Sequence, residues 1–198
     1  MTDYLDILKK RRSIYAIGKN VNQSNQTISS IITSAIKHSP SAFNSQSVKA
    51  VITFDEASDK IWDITAEVLE AKIGTEKFQP TKAKLASFKA GKGTILFFTD
   101  KQIVKNLQER FPLYAANFEI WAEQALGGAQ QAVWTALAQA EIGASLQHYN
   151  PLIDEKIAKE FSLPAHWELK GQMPFGSIEQ LPEAKEFLAD EERFIIFE

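Results

Sequence analysis

Apolar residues recur at intervals of three and four positions in several segments of the chain, as on the buried face of an α-helix. In the segment 27–38 one helix face collects five apolar residues: Ile28, Ile31, Ile32, Ala35 and Ile36. Ser24 or Asn25 precedes this face and can cap its first turn. The same criterion predicts helices over 4–12, 27–38, 58–73, 101–110, 117–142 and 153–161.

Continuous apolar runs predict the strands. The run 94–100, TILFFTD, is bounded by Gly93 and Asp100, and we expect a strand buried on both faces. The segment 78–93, rich in lysine and containing Pro80, is predicted to be a mobile loop. Further strands are predicted over 49–54, 145–149, 167–175 and 194–197. Because helices and strands alternate without a regular strand–helix–strand rhythm or a glycine fingerprint, the sequence predicts one α+β domain over 1–198.

The predicted helix 117–142 is apolar or small on nearly every face. A helix of this kind must be buried on all sides, either at the centre of a large domain or between two subunits. In a chain of 198 residues, we expect a dimer interface.

Composition narrows the class of protein. The chain has 44% hydrophobic and 24% charged residues and no cysteine, which excludes disulfides, a thiol nucleophile and a thiolate metal site. A net charge of -3 without a basic face argues against nucleic-acid binding. No run approaches the roughly 20 apolar residues of a membrane span, and the N-terminus lacks a signal-peptide pattern. We therefore expect a cytoplasmic protein.

The sequence Arg11-Arg12-Ser13 follows the first predicted helix. Two guanidinium groups beside a hydroxyl suit a phosphate or a polyol, because arginine offers a bidentate fork to oxyanions. Cations at this position also compensate the dipole of the helix C-terminus, so a purely structural role remains open.

The stretch 39–47, SPSAFNSQS, separates the second predicted helix from the strand 49–54. Pro40 prevents continuation of the helix, and Ser and Asn side chains satisfy nearby backbone groups in turns. The residues alone are explained by a helix-to-strand loop. The number of polar side chains also permits a binding loop.

Other patterns give little support for protein-based catalysis. The stretch 89–93, KAGKG, precedes a strand rather than a helix, so no helix N-terminus faces a phosphate, and we interpret it as a turn. His148 has no Cys, Ser motif or second His at a useful spacing. We predict no metal site and no catalytic nucleophile.

Three separated stretches together resemble the nitroreductase family of flavoproteins: RRSIY at 11–15, SPSAFNSQ at 39–46 and LAQAEIGAS at 137–145. They occur in the order of the family and span nearly the whole chain. The short chain and LQHYNP at 146–151 look most like the subgroup of yeast nitroreductases linked to fatty-acid repression and bacterial copper-induced nitroreductases.

The resemblance implies a nitroreductase-like fold, with a central, mainly antiparallel sheet flanked by helices, in an intertwined homodimer that binds two FMN molecules noncovalently at its interface. Arg11 and Ser13 would contact the phosphate and ribityl groups, with Arg12 in support. Asn44 and Gln46 would bond the ribityl chain or ring edge. The FMN-binding residues that it implies are Arg11, Arg12, Ser13, Ser39, Pro40, Ser41, Asn44, Gln46, Gln147, His148, Lys185 and Arg193.

The chain departs from the family pattern at two positions. The usual basic residue two places after the serine is Tyr15 here. Members place Lys and Arg two residues apart near the C-terminus, and here Lys185 matches the first but Phe187 stands at the second. We expect Arg193 to take over that contact.

The resemblance also implies a ping-pong reaction in which NADH or NADPH reduces the flavin and a nitroaromatic or quinone accepts two electrons, in a setting of oxidative or metal stress. Gln147 and His148 fall where the family places backbone amides against the flavin N5 and pyrimidine edge, and a side-chain role for His148 stays open. Phe111, Tyr114 and Trp121 either cover the pocket and select flat substrates or belong to the core.

Two other functions remain compatible with the sequence. The protein could be a flavin-binding redox sensor with little turnover, linked to lipid or stress signalling. It could also be a helical scaffold without a cofactor. Uptake of FMN separates the scaffold from the other two, and oxidation of pyridine nucleotide separates the enzyme from the sensor.

Overall fold

The computed structural model describes residues 3–198; the first two residues, part of the N-terminus considered for a signal peptide, lie outside it. Its helices are α1 (Tyr4–Lys10), α2 (Asn25–Lys37), α3 (Asp55–Ile73), α4 (Thr75–Lys89), α5 (Lys101–Arg110), α6 (Ala115–Gln139), α7 (Asp154–Glu160) and α8 (Asp190–Arg193). Its strands are β1 (Ile17–Gly18), β2 (Val48–Phe54), β3 (Gly93–Asp100), β4 (Gly143–Ala144) and β5 (Trp167–Ile178). The α+β prediction is therefore confirmed.

The five strands form one antiparallel sheet in the order β1-β5-β3-β2, with β4 also paired to β5. All residues of β3 are buried, as its continuous apolar run predicts. Because side chains alternate along a strand, Ile95 and Phe97 pack in the cluster that includes α2 and α6. Leu96 and Phe98 pack on the other side, in the cluster that includes α3 and α7. The sheet thus lies between two helical layers.

Helix α2 shows why the periodic pattern was informative. The Ser24 hydroxyl accepts a hydrogen bond from the Thr27 N–H (3.1 Å), so Ser24 is the N-cap. Ile28 and Ile32 are fully buried against the sheet. This helix delivers the chain directly into the stretch 39–47.

The prediction of a mobile loop over 78–93 was wrong, because most of that segment forms the helix α4. Pro80 lies inside the helix and removes one backbone hydrogen bond. Phe78, Leu85 and Phe88 are nonetheless buried against the aromatic and apolar side chains of α3, including Trp62. Tertiary packing therefore outweighs the helix-breaking effect of Pro80.

Two predicted strands do not form. In 145–149 only Gln147 makes an isolated bridge, to Gln172 of β5. The segment 194–197 follows α8, and its Ile195 and Phe197 are 81% and 91% exposed. Its apolar residues have no strand to pair with in the part of the chain that the structure describes. The sequence also missed β1 and β4, which are only two residues long.

The long helix α6 is not buried on all sides within this chain. Phe118, Leu126, Val133 and Leu137 pack inward. The opposite face is exposed and consists of Ile120, Gln124, Gly127, Gly128 and Gln131. Across residues 3–198, no helix has the length and apolar character needed to cross a membrane.

Candidate functional site

The arginine pair lies where α1 ends and the chain becomes extended. Helix α1 stops at Lys10, two residues earlier than predicted, and Arg11 caps it by donating its N–H to the Ile7 carbonyl (2.9 Å). Ser13 then forms a parallel bridge with Ala144, and the Ile14 N–H donates to the Ala144 carbonyl (2.9 Å). The RRS stretch therefore runs beside the segment that leads to Gln147.

Arg11 is held in a position that disfavours its charge. Its guanidinium lies 4.5 Å above the Trp134 ring, and its buried Nε has no hydrogen-bond partner within residues 3–198. Burial, and then the positive charge of Arg12, lower the pKa of Arg11 below its ordinary value. Trp134 Nε1 is itself fixed by the Ala144 carbonyl (3.1 Å) and the Arg12 carbonyl (3.2 Å). An anion at this position would stabilise the site.

The C-terminal segment supplies further groups beside the arginines. Arg12 donates to the Glu183 carbonyl (2.8 Å). A cavity of about 610 Å³ is lined by Arg11, Arg12, Lys185 and Phe187, together with leucines of α1. Lys185 therefore lies beside the arginine pair in the folded chain.

Arg193 and Tyr15 lie elsewhere. Arg193 is on the exposed helix α8, with its guanidinium over the Phe194 ring (5.2 Å). Tyr15 lines a separate cavity of about 330 Å³ with Ser13 and Glu183. Because Tyr15 stands where the family has a basic residue, this cavity lacks the cation expected there.

The loop 39–46 has an unusual backbone. Phe43, Asn44 and Gln46 all have left-handed φ angles, of 57°, 48° and 50°. Such angles are costly for residues other than glycine and, to a lesser degree, asparagine, and they occur mainly where the surroundings enforce them. Ser41 enforces the turn through its carbonyl, which accepts from the Asn44 N–H (2.9 Å), and its hydroxyl, which accepts from the Gln46 N–H (3.0 Å).

This loop borders three depressions on the face of α6, one of which is lined by Phe43. Ser39, Pro40, Ser41 and Gln46 line a cavity of about 180 Å³. Ser39 and Pro40 also line one of about 510 Å³ between α1, α2 and α6. The side chains of Asn44 and Gln46 are exposed. Within one chain, the loop and the arginine pair line different cavities.

Gln147 and His148 differ in what their backbone amides do. The Gln147 N–H donates to the Gln172 carbonyl (2.7 Å), and the Tyr149 N–H donates to the Gln172 side-chain oxygen (2.7 Å). Because hydrogen-bonded positions alternate along an antiparallel pair, the N–H of His148 points away from β5. Gln147 is buried and His148 is exposed. Of the two backbone amides, that of His148 is therefore the one not used in bonding β5.

An aromatic cluster lies against the loop. Phe43 contacts Phe111, Phe118 and Trp121, with ring centroids 4.8, 5.5 and 6.2 Å apart. Phe43, Trp121 and Gln124 also line an apolar cavity of about 450 Å³. Sequence reasoning named Phe111, Tyr114 and Trp121 but missed Phe43 and Trp134, because neither residue has a local pattern that distinguishes it from ordinary core.

Comparison with known proteins identifies the family. The sequence model of the Nitroreductase family matches residues 8–177. The chain belongs to the Nitroreductase family. It is 49% identical to nitroreductase CinD from Lactococcus lactis in complex with nicotinic acid, over 99% of this chain and 100% of that one, with a TM-score of 0.93. The nitroreductase-like fold expected from the sequence is therefore confirmed.

Two yeast relatives match over almost the same length. HBN1 of Saccharomyces cerevisiae is 34% identical over 190 residues, covering 95% of this chain and 94% of that protein. The nitroreductase FRM2 of the same organism is 32% identical over 192 residues, covering 94% and 93%. CinD has also been solved in complex with chloramphenicol and with 4-nitrophenol. The family establishes an oxidoreductase of the nitroreductase type.

Proposed function

We propose that this protein is a cytoplasmic, homodimeric, FMN-dependent NAD(P)H oxidoreductase that reduces nitroaromatics and quinones by a ping-pong mechanism, in a setting of oxidative or metal stress. Membership of the family supports the class of reaction. The complexes of CinD with nicotinic acid and 4-nitrophenol support small aromatic ligands for this chain as well.

The observation that carries the proposal is the state of Arg11. Its buried Nε lacks a partner in the described chain, and its pKa is lowered by burial and by Arg12. A phosphate would provide both the missing acceptor and the opposite charge, and Arg12 and Lys185 offer further donors in the same cavity. The residues present therefore fit a phosphorylated cofactor.

The other candidate residues fit the remainder of FMN. Asn44 and Gln46 present exposed amides suited to the ribityl chain or the ring edge. The outward N–H of His148 suits an acceptor on the flavin ring, and this role needs the backbone rather than the imidazole. Phe43 and Trp121 form a flat apolar wall that excludes water and stacks aromatic substrates.

Bound FMN would supply the redox chemistry, accepting a hydride from NADH or NADPH and passing two electrons to the acceptor. The chain orients the reactants by its arginine pair, its loop and its aromatic wall. None of these tasks requires a protein nucleophile.

A second copy of the chain would complete the site. The exposed face of α6 contains Gly127 and Gly128, which permit close approach of another backbone. The C-terminal segment exposes Phe187, Leu188 and Ile196, which are 72%, 63% and 82% exposed. Exposed apolar patches mark interaction sites. We therefore assign both to a homodimer in which the loop of one copy approaches the arginine pair of the other.

Three measurements on the purified protein test this proposal. Light scattering should give twice the mass of the chain, and a monomer would contradict the shared site. The visible spectrum should show bound flavin after addition of FMN. Under anaerobic conditions NADH or NADPH should bleach that flavin, and a nitroaromatic should restore it. Bound flavin that stays oxidised would favour the redox sensor, and absence of FMN uptake would favour the scaffold.

A further inference from the structure

Gln46 is held at both ends of its left-handed backbone. Its N–H donates to the Ser41 hydroxyl (3.0 Å), and its carbonyl accepts from Lys49 Nζ (3.3 Å). A glutamine with a φ of 50° needs such contacts, because the left-handed region is strained for a residue other than glycine. Lys49 lies outside the SPSAFNSQ motif and was not selected from the sequence.

Lys49 is itself anchored to a buried carboxylate. Its Nζ lies 3.9 Å from Asp100 Oδ2, and the Asp100 side chain is only 7% exposed. The other oxygen of Asp100 accepts from the N–H groups of Gln102 (3.1 Å) and Ile103 (3.2 Å) at the start of α5. The Asp100 N–H donates to the Ser47 carbonyl (2.8 Å). The end of the loop is thus tied twice to the end of the buried strand β3.

Lys49 occupies the boundary between this anchor and the binding loop. It lines the cavity of about 180 Å³ together with Ser39, Ser41 and Gln46. Its side chain is 29% exposed, so part of its interaction is with protein rather than water. The Lys49 ammonium therefore links Asp100, at the end of β3, to the carbonyl of Gln46 in the strained loop.

We infer that Lys49 is a positioning residue: with Asp100 it holds the loop 39–46 in its left-handed conformation before any ligand binds. Its consequence for FMN affinity rests on the proposed function. The role is distinct from direct contact with the cofactor, because the ammonium acts on the Gln46 carbonyl.

Three variants and a control test this inference. Lys49→Met removes the ammonium and keeps the unbranched stem, and Lys49→Arg keeps the positive charge. Asp100→Asn removes the negative charge and keeps a side chain that can cap α5. Lys37→Met is the control, since Lys37 lines the same cavity but is exposed. Amide hydrogen exchange over 41–47 is measured without flavin, and FMN affinity is measured by calorimetry.

We expect faster exchange at the amides of Asn44, Ser45 and Gln46 in Lys49→Met and Asp100→Asn, with Lys49→Arg close to wild type and Lys37→Met unchanged. FMN affinity should fall about tenfold in Lys49→Met and Asp100→Asn, which corresponds to the lower limit for loss of a hydrogen bond to a charged group.

Unchanged exchange in Lys49→Met would overturn the inference, whatever happens to affinity, because a loss of affinity alone indicates direct contact with the ligand. An equal effect of Lys37→Met would also overturn it, since general electrostatics would then suffice. If wild-type protein fails to bind FMN, the proposed function fails, but the exchange measurement still decides whether Lys49 holds the loop.

Discussion

The strand β3 and the loop 39–46 are stabilised by different kinds of contact. All residues of β3 are buried, and the strand pairs with β2 on one side and β5 on the other. The loop has three left-handed residues other than glycine and relies on a few side-chain contacts from Ser41 and Lys49. The difference indicates that the sheet supplies stability, whereas the loop holds a strained shape that is useful for binding.

The largest expected effect follows from damage to the sheet. Phe97 is fully buried at the centre of β3. Phe97→Ala should lower the free energy of unfolding by about 3–5 kcal/mol, because it leaves a cavity in the core. Denaturant unfolding measures this change. A loss below about 1 kcal/mol would show that β3 does not dominate stability.

Damage to the arginine pair should separate binding from stability. Arg11→Ala should weaken FMN binding by about 1.5–3 kcal/mol, the range for hydrogen bonds to charged groups. Without flavin, the free energy of unfolding should change by less than about 1 kcal/mol, since only the contact of the guanidinium with Trp134 is lost. Calorimetric titration and denaturant unfolding measure the two quantities.

The control for Arg11→Ala is Lys10→Ala, which removes the neighbouring cation, an ammonium paired with Glu141 on the surface. Its FMN affinity should equal that of wild type. Equal losses in both variants would mean that net charge, rather than the position of Arg11, determines binding.

Asp154, like Arg11, has a buried side-chain atom without a hydrogen-bond partner in the described residues, but it lies outside the candidate site. Its Oδ1 is buried without a partner in the described residues, and burial, followed by the charge of Glu168, raises the pKa of its carboxyl. A raised pKa in the fold means that the carboxylate destabilises the fold at neutral pH and that protonation relieves this as pH falls toward the ordinary value. Asp154→Asn should therefore raise the free energy of unfolding at pH 7 by up to about 1 kcal/mol.

The advantage of Asp154→Asn should shrink as the pH falls toward the ordinary pKa of an aspartate carboxyl, because the raised pKa lets the folded wild-type protein take up a proton first. Unfolding curves of both proteins across this pH range measure the effect. A constant difference would show that the charge of Asp154 is not its cause.

The smallest expected effect on stability lies in the loop. Gln46→Gly should change the free energy of unfolding by no more than about 0.5 kcal/mol, because glycine relieves the left-handed strain but adds freedom to the unfolded chain. FMN binding should weaken by about 1 kcal/mol through loss of the amide. If Gln46→Gly binds FMN with wild-type affinity, the side chain of Gln46 does not contact the cofactor.

Periodicity predicted the elements whose own residues carry the signal. The capped helix α2 and the buried strand β3 were found because their patterns match the periods of helix and strand. Helix α4 was missed because Pro80 opposes helix locally, and its stability comes from contacts with Trp62. The run 194–197 has the composition of a strand but no neighbour to pair with in the described chain.

The candidate site was predictable only where a motif occurs in consecutive residues. The stretches 11–13 and 39–46 are motifs of this kind. The contact between Arg11 and Trp134 could not be predicted in this way, because the two residues are far apart in sequence. The same holds for Lys49 and Asp100, which meet because β2 and β3 pair in one register. Long-range pairing of this type leaves no local pattern.

The most direct test of the phosphate site compares FMN with riboflavin, which lacks the phosphate, in calorimetric titrations of wild-type protein and Arg11→Ala. The proposed site predicts that wild-type protein binds FMN more tightly than riboflavin and that most of this difference disappears in Arg11→Ala, while riboflavin affinity stays unchanged. An equal preference for FMN in both proteins, or no binding of FMN to wild-type protein, would contradict it.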